Sequence, residues 1–181
     1  MRLLVTASRA WPFPRVIDRV LTTYHGVVPV TTLVHGSARG GDRRADLWAR
    51  RHGVSTERWP VTPEDWERHG RGAGLARNAA MVNAGADLCV GFITTCRMPR
   101  CPRSRLPHPT HGAADAVGHA VDAGIPTRVF YAHDPEPMVR QHQGSGPGHA
   151  MDYHPTLAAY VCELCRCRIT PIGSEGQPHV A

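Results

Sequence analysis

The sequence predicts an α/β fold: a Rossmann-like parallel sheet with helices on both faces, carrying a small C-terminal Cys-rich appendage. Three observations carry this expectation. Short apolar runs at residues 2–6, 30–34, 55–59, 87–93 and 127–132 alternate with stretches of helical periodicity, and such alternation implies parallel strands covered on both sides. A glycine-rich turn, His35-Gly36-Ser37-Ala38-Arg39-Gly40-Gly41-Asp42, stands where a strand hands over to a helix. The length of 181 residues allows one well-buried domain plus an appendage, and not two full-sized domains.

Taken in order, the first strand covers residues 2–6 and is followed by a helix with Val16, Ile17, Val20, Leu21 and Tyr24 on one face. The second strand ends at Val34. The helix after the glycine turn presents Ala45, Trp48, Ala49 and His52 and stops at Gly53. After the third strand, residues 60–74 are polar and rich in breakers and read as a loop, with Trp66 expected to pin it to the core. A helix over 75–84 follows, carrying Leu75, Ala79 and Val82 inward, with Gly85 at its end. The fourth strand contains Cys89, expected as an inert buried thiol. Residues 94–111 form an insertion rich in Pro and Arg. Gly112 opens the last helix, with Ala113, Val117, Ala120 and Val121 inward and Gly124 as its stop, and the fifth strand follows at 127–132. The domain is thus expected at 1–132, a linker at 133–156 and the Cys-rich tail at 157–181, which is too small to fold without a staple.

Composition narrows the chemistry. The formal net charge is +6 and the sequence pI about 9.4, which suits an acidic partner, yet every one of the 21 basic residues is arginine. With no lysine, a Walker-type phosphate lysine, a Schiff-base lysine and a lysine general base are excluded. Anions must be met by backbone amides, helix ends and guanidinium forks. Apolar content of 41% is ordinary for a soluble globular chain. No apolar run is long enough to span a bilayer, and the start, with too short an apolar segment for a signal peptide, reads as a strand, so a cytoplasmic protein without membrane partners is expected.

Glycines at a strand-to-helix turn leave N–H groups free to hold an anion, so a phosphate is expected there. Arg9 projects from the carboxyl end of a strand, the edge where open α/β sheets bind ligands. Arg77 and Asn78 lie early in a helix, where a cation opposes the dipole; either an anionic ligand or a local salt bridge with Glu64, Asp65 or Glu67 accounts for it. The cysteines cluster as CxxxxC (Cys96, Cys101) and CxxCxC (Cys162, Cys165, Cys167), which in an intracellular chain favours metal over disulfides. A structural zinc held by Cys96, Cys101, Cys162 and Cys165 would staple the tail to the domain. The alternative is a knuckle within the tail from Cys162, Cys165, Cys167 and His154 or His179. His108 and His111 are further candidate ligands, though as polar groups near the anion site they find a simpler use.

Four stretches resemble a known family. Val5-Thr6-Ala7-Ser8-Arg9-Ala10-Trp11 stands where it has TGSRxW, and Val34-His35-Gly36-Ser37-Ala38-Arg39-Gly40-Gly41-Asp42 where it has VHGxARGAD. Asp65-Trp66 through Gly74 and Arg77-Asn78 match DWxxxGxxAGxxRN, and His111-Gly112-Ala113-Ala114-Asp115 takes the place of its GxGTA element. In order and spacing these resemble the SLOG superfamily of Rossmann-like nucleotide-ligand binders, which groups Smf/DprA-like proteins with the Lonely Guy phosphoribohydrolases. Within it they look most like the branch of small bacterial and phage proteins related to YspA and YpsA.

The resemblance covers residues 1–132 and implies a nucleotide or nucleotide-derived ligand at the carboxyl edge of the sheet, the protein acting as sensor of or sponge for a nucleotide signal. Ser8 and Arg9 would meet one end of it, and Gly36, Ser37, Ala38, Gly40 and Gly41 would cradle phosphate. Arg77, Asn78, His111 and Gly112 would close the other side, while Asp42 caps its helix or holds a ribose hydroxyl. The PGGxGT turn of the family is split by the insertion, and Ala116 occupies the place of the Lonely Guy glutamate in PGGxGTxxE. Without that carboxylate, binding without hydrolysis is expected. Two other readings stay open: a nucleoside-monophosphate phosphoribohydrolase using Asp115, and DprA-like single-strand DNA binding along Arg97, Arg100, Arg103 and Arg105. The latter lacks the stacking aromatics such a track uses. Homodimerisation is an expectation of the resemblance alone.

Overall fold

The computed structural model describes residues 1–101, 107–132, 151–154, 159–162 and 167–172. In chain order its elements are β1 (Arg2–Ala7), α1 (Pro14–Val27), β2 (Thr32–His35), α2 (Gly41–Arg51), β3 (Ser55–Arg58), α3 (Pro63–His69), a 3₁₀ turn (Gly70–Gly72), α4 (Ala73–Asn83), β4 (Leu88–Ile93), α5 (His111–Asp122), β5 (Thr127–Ala132), β6 (Asp152–His154), β7 (Ala159–Val161) and β8 (Arg168–Ile172). One sheet contains all eight strands in the order β3-β2-β1-β4-β5-β8-β7-β6. From β3 across to β8 the neighbours run parallel, and β7 and β6 continue antiparallel.

The alternation of side chains along β1 explains why helices lie on both faces. Leu3, Val5 and Ala7 pack with Val16, Ile17, Leu21, Ala45 and Trp48 of α1 and α2. Leu4 points the other way, into a cluster with Met81, Val82, Ala116 and Ala120 of α4 and α5. Period-2 alternation against two helical stripes builds the two layers of core. Cys89 is wholly buried in the second layer, and burial pushes its thiol pKa up, as an inert thiol requires.

Leu75, expected to face inward, is 45% exposed, because its side of α4 borders an open cavity and not the core. Three further departures from the sequence reading have physical causes. Residues 60–74 are not a bare loop, because Thr62 caps a short helix. Its Oγ1 accepts the Asp65 N–H at 3.2 Å and Asp65 Oδ2 accepts the Thr62 N–H at 2.9 Å, a reciprocal capping box. Trp66 stands on that helix 54% exposed and does not pin it to the core. The C-terminal segment lies along the open edge of β5, where β8 pairs from Arg128↔Arg168 to Ala132↔Ile172. Ile169, Cys162 and Cys167 share a core with Val117, Val129 and Tyr131. A parallel edge strand leaves a row of unpaired backbone groups, and the short tail strands satisfy it. Most of the 133–156 stretch lies outside the described residues. Among the described residues no helix is long and apolar enough to cross a membrane.

The junction of β1 with α2 is unusually close. A Cβ built on Gly41 would lie 2.2 Å from Ala7 Cβ, and one on Gly40, at φ +88°, would lie 2.3 Å from the Arg9 carbonyl oxygen. Both glycines therefore serve helix-to-strand contact. Gly41→Ala is expected to destabilise the fold by about 1–3 kcal/mol through overpacking, read as a lower urea midpoint with an unchanged slope. Adding Ala7→Gly should recover part of the loss.

Candidate ligand cavity and metal-ligand cluster

The sheet order reverses between β1 and β4, and at such a switch point the loops leaving the carboxyl ends of the strands diverge and open a crevice. Here the crevice is a cavity of about 710 Å³, within the roughly 300–1,000 Å³ of small-molecule sites. Ser8 and Arg9 enter it from the end of β1, Gly36 and Ala38 from the end of β2, Thr94 to Met98 from the end of β4, and Arg71, Arg77 and Asn78 from α4 and the turn before it. His111, Gly112 and Ala113, the first turn of α5, close the far side. A first turn directs N–H groups with no intrahelical partner outward, together with the positive end of the helix dipole.

The glycine-rich turn behaves differently from a phosphate cradle. Ser37, Gly40 and Gly41 are not among the residues lining the cavity. The Ser37 N–H donates to His35 Nδ1 at 3.1 Å, and the Ala38 N–H to Asp42 Oδ2 at 3.1 Å. These amides are spent on holding the turn, which places Ser37 at a left-handed φ of 57°. Asp42, 3% exposed, also accepts the Ala7 N–H at 3.0 Å. It ties α2 to both strand ends, a role closer to the expected cap than to a ribose contact. Burial pushes its carboxyl up to about 6, against the N–H bonds and the nearby Arg77 charge.

His35 is the residue in this turn that sequence reasoning left without a role. Its Nδ1 accepts from Ser37, so the proton sits on Nε2, which faces Asp46 Oδ1 at 3.2 Å. Asp46 is held in turn by Arg58 Nε at 2.8 Å and Arg50 Nε at 3.0 Å. Burial is the largest cause of a lowered His35 pKa, opposed by Asp46 and reinforced by Arg58 and Arg77.

Arg77 forms no bridge to Glu64, Asp65 or Glu67 among its described hydrogen bonds. Its Nη1 donates to the carbonyls of Gly36 and Trp59 and its Nε to Asn78 Oδ1 at 3.1 Å. The guanidinium fills the space over Gly36, where a Cβ would lie 2.4 Å from Nη1. Burial lowers its pKa, the Asp42 charge raises it and the Arg9 charge lowers it, so the Arg9 and Arg77 guanidiniums, both lining the cavity, repel each other. Asn78, 4% exposed, donates to the Gly112 carbonyl and to Asp115 Oδ2, both at 2.9 Å. Asp115 is thus tied to α4 and is not among the cavity-lining residues, and Ala116 is buried in the core.

Ser8 is a junction. Its Oγ accepts the Thr94 N–H at 3.0 Å and lies 2.5 Å from Thr110 Oγ1, joining the end of β1 to both ends of the insertion. On that insertion the donor atoms of Cys96, Cys101, His108 and His111 lie within 4.8 Å of one another, close enough to hold a metal ion. Cys101 Sγ is 3.3 Å from His108 Nε2 and 3.2 Å from His111 Nε2, and the two Nε2 atoms are 3.1 Å apart. This set differs from the sequence expectation. Cys162 is fully buried under β5 and β8, with its N–H on the Cys167 carbonyl at 3.0 Å, and Cys165 lies outside the described residues. The C-x₄-C-x₆-H-x₂-H spacing was the available signal.

The His35 geometry has a pH consequence. Below about pH 6.5, the ordinary histidine value, the unfolded chain takes up a proton that folded His35 resists, so stability falls as pH is lowered. His35→Asn, whose amide oxygen can still accept the Ser37 N–H, should flatten this dependence. Asp42 acts with opposite sign between its ordinary 3.8 and about 6, so the quantity to read is the difference in melting temperature between variant and wild type from pH 7.5 to 5.5.

Residues 1–69 match the sequence model of the YspA, cpYpsA-related SLOG family. The Gene 61 protein of Mycobacterium phage D29 is 43% identical over 138 residues, which span 71% of this chain and 95% of that protein. The X-ray structure of DNA processing protein A (DprA) from Streptococcus pneumoniae aligns with a TM-score of 0.46 at 18% identity, over 74% of this chain and 50% of that one. With the four sequence stretches meeting around one switch-point cavity, the chain belongs to the YspA, cpYpsA-related SLOG family.

Proposed function

We propose that the protein binds a nucleotide or nucleotide-derived small molecule in the switch-point cavity and holds it without hydrolysing it, as a sensor of or sponge for a nucleotide signal. The observation that carries this reading is the charge of the cavity. Arg9, Arg71, Arg77 and Arg97 line it, and Asp42, the one carboxylate among its lining residues, is already spent on backbone N–H groups. An anion there relieves the mutual repulsion of Arg9 and Arg77 and meets the first turn of α5. Leu75, Met81 and Met98 add an apolar wall suited to a base or sugar face.

Binding without hydrolysis is supported by the carboxylates. Stabilising a ribosyl cation needs one aimed at the ligand, and Asp115 is instead held by Asn78. In the same reading the Cys96, Cys101, His108 and His111 cluster holds a structural zinc ion. Two thiolates and two imidazoles are the donor set of closed tetrahedral zinc sites.

Native mass spectrometry of the purified full chain, before and after denaturation, should reveal a co-purified nucleotide-like mass and one zinc per chain. Calorimetric titration with AMP, ADP and ATP should find at least one that binds, and a labelled oligonucleotide should not compete with it. Arg9→Ala is the cleaner site variant, because Arg77 also pins two loops. It should weaken binding about 10- to 100-fold, the range for losing a charge-assisted hydrogen bond. Unchanged affinity in Arg9→Ala, or no nucleotide bound by either method, overturns the reading.

A further inference from the structure

The cysteine and histidine cluster is built across the legs of the insertion rather than within one of them. Cys96 stands on the outgoing leg, His108 on the returning leg, and His111 is the first residue of α5. Cys101 comes from between the legs, directly after Arg100 at a left-handed φ of 57°. The base of the insertion is zipped by a Thr95↔Pro109 bridge, by the Cys96 N–H on the His108 carbonyl at 2.7 Å and by the Thr110 N–H on the Thr94 carbonyl at 2.9 Å.

The atoms converge as metal ligands do. A zinc ion with Zn–S of about 2.3 Å and Zn–N of about 2.0–2.1 Å has tetrahedral edges of about 3.4 Å between nitrogens and about 3.5 Å from sulfur to nitrogen. The observed separations of 3.1, 3.2 and 3.3 Å fall within a few tenths of these. A hydrogen bond is linear and its proton serves one edge, whereas three donor atoms in mutual contact match the spacing of ligands around a common centre. Two thiolates also balance the charge of the ion, which leaves the guanidinium field of the cavity intact.

The same segment forms one wall of the cavity. Cys96 and His111 line it together with Thr94 and Thr110. Thr110 precedes α5 but makes no side-chain cap to that helix, its hydroxyl lying instead on Ser8 Oγ. Ser8 thereby joins the zipped legs to the end of β1, beside Arg9.

We infer that zinc occupancy at Cys96, Cys101, His108 and His111 fixes the Thr94–Thr110–Ser8 wall of the cavity, so that metal binding and the order of that wall are coupled. This rests on the zinc and nucleotide reading given above and adds its regulation. By linkage the coupling is reciprocal: whatever loosens the Ser8 junction weakens zinc, and loss of zinc loosens the junction.

The test uses the full chain. Zinc content is measured first, and Co²⁺ substitution should give the visible bands of tetrahedral thiolate coordination, lost in Cys101→Ser. Zinc affinity is then read by competition with a chromophoric chelator in wild type, Ser8→Ala and Thr110→Val, none of which removes a ligand. Coupling predicts about five- to tenfold weaker zinc binding in both variants. Amide exchange compared between the zinc-loaded and stripped chain should accelerate about tenfold at residues 6–10 as well as at 92–96, with β3 unchanged. If zinc binds and the two variants match wild type, the coupling is overturned while the metal site stands. If neither zinc nor cobalt binds, the metal reading itself fails. Should stripping unfold the chain, the rate at which the folded, zinc-loaded wild type and the two variants release zinc to the chelator decides, faster release in both variants supporting the coupling and matching rates overturning it.

Discussion

The Asp42 carboxylate is the fastening on which the rest of the site depends. It lies in the first turn of α2, 3% exposed, and accepts the N–H groups of Ala7 and Ala38. A buried carboxylate is costly to desolvate and repays this only when its lone pairs are satisfied. Satisfying them here fixes the distance between the end of β1, the turn after β2 and the helix that follows. Gly41 makes the approach feasible, since any side chain there would run into Ala7. The Ser8 and Arg9 positions, and with them the mouth of the cavity, follow from this one contact.

Around that fastening the turn is internally complete. His35 takes the Ser37 N–H and Asp42 takes that of Ala38, so a motif that looks like an amide cradle is a rigid abutment. In the nucleotide-binding reading, an anion would be met by side chains and by the start of α5. A chain with arginine as its only strong cation suits this arrangement, because a guanidinium can bind two carbonyls and still present a face to a ligand. Arg77 does the first through Gly36 and Trp59 while lining the cavity. Arg9 is exposed and lines the same cavity.

The insertion solves a different problem. Between the fourth strand and the last helix the chain runs from Thr94 to Thr110 through a proline-rich stretch. Loop closure over that length costs conformational entropy, and the excursion must still deliver Thr110 and His111 to the cavity in register. The backbone zip at its base and the convergence of four sulfur and nitrogen donors above it accomplish this.

The parallel sheet, its helices and a crevice at its carboxyl edge were legible in the residues themselves. Alternation along β1 and helical stripes in α1, α2 and α5 are local patterns, and strand ends are where such sheets bind. Ser8, Arg9, Gly36, Ala38, Asp42, Arg77, Asn78, His111 and Gly112 all reach the cavity as their positions suggest. The Thr62 and Asp65 pair has the spacing of a reciprocal cap, set among breakers that otherwise mark a loop. Only the tertiary structure decided that Ser37, Gly40 and Gly41 serve packing, for the groups that use their amides or fill their space come from other elements. It also replaced Cys162 by His108 and His111 in the metal cluster and laid the tail strands against β5. Those choices rest on which chain segments meet across the sheet, and a pattern within any one segment holds no record of the partner it will find.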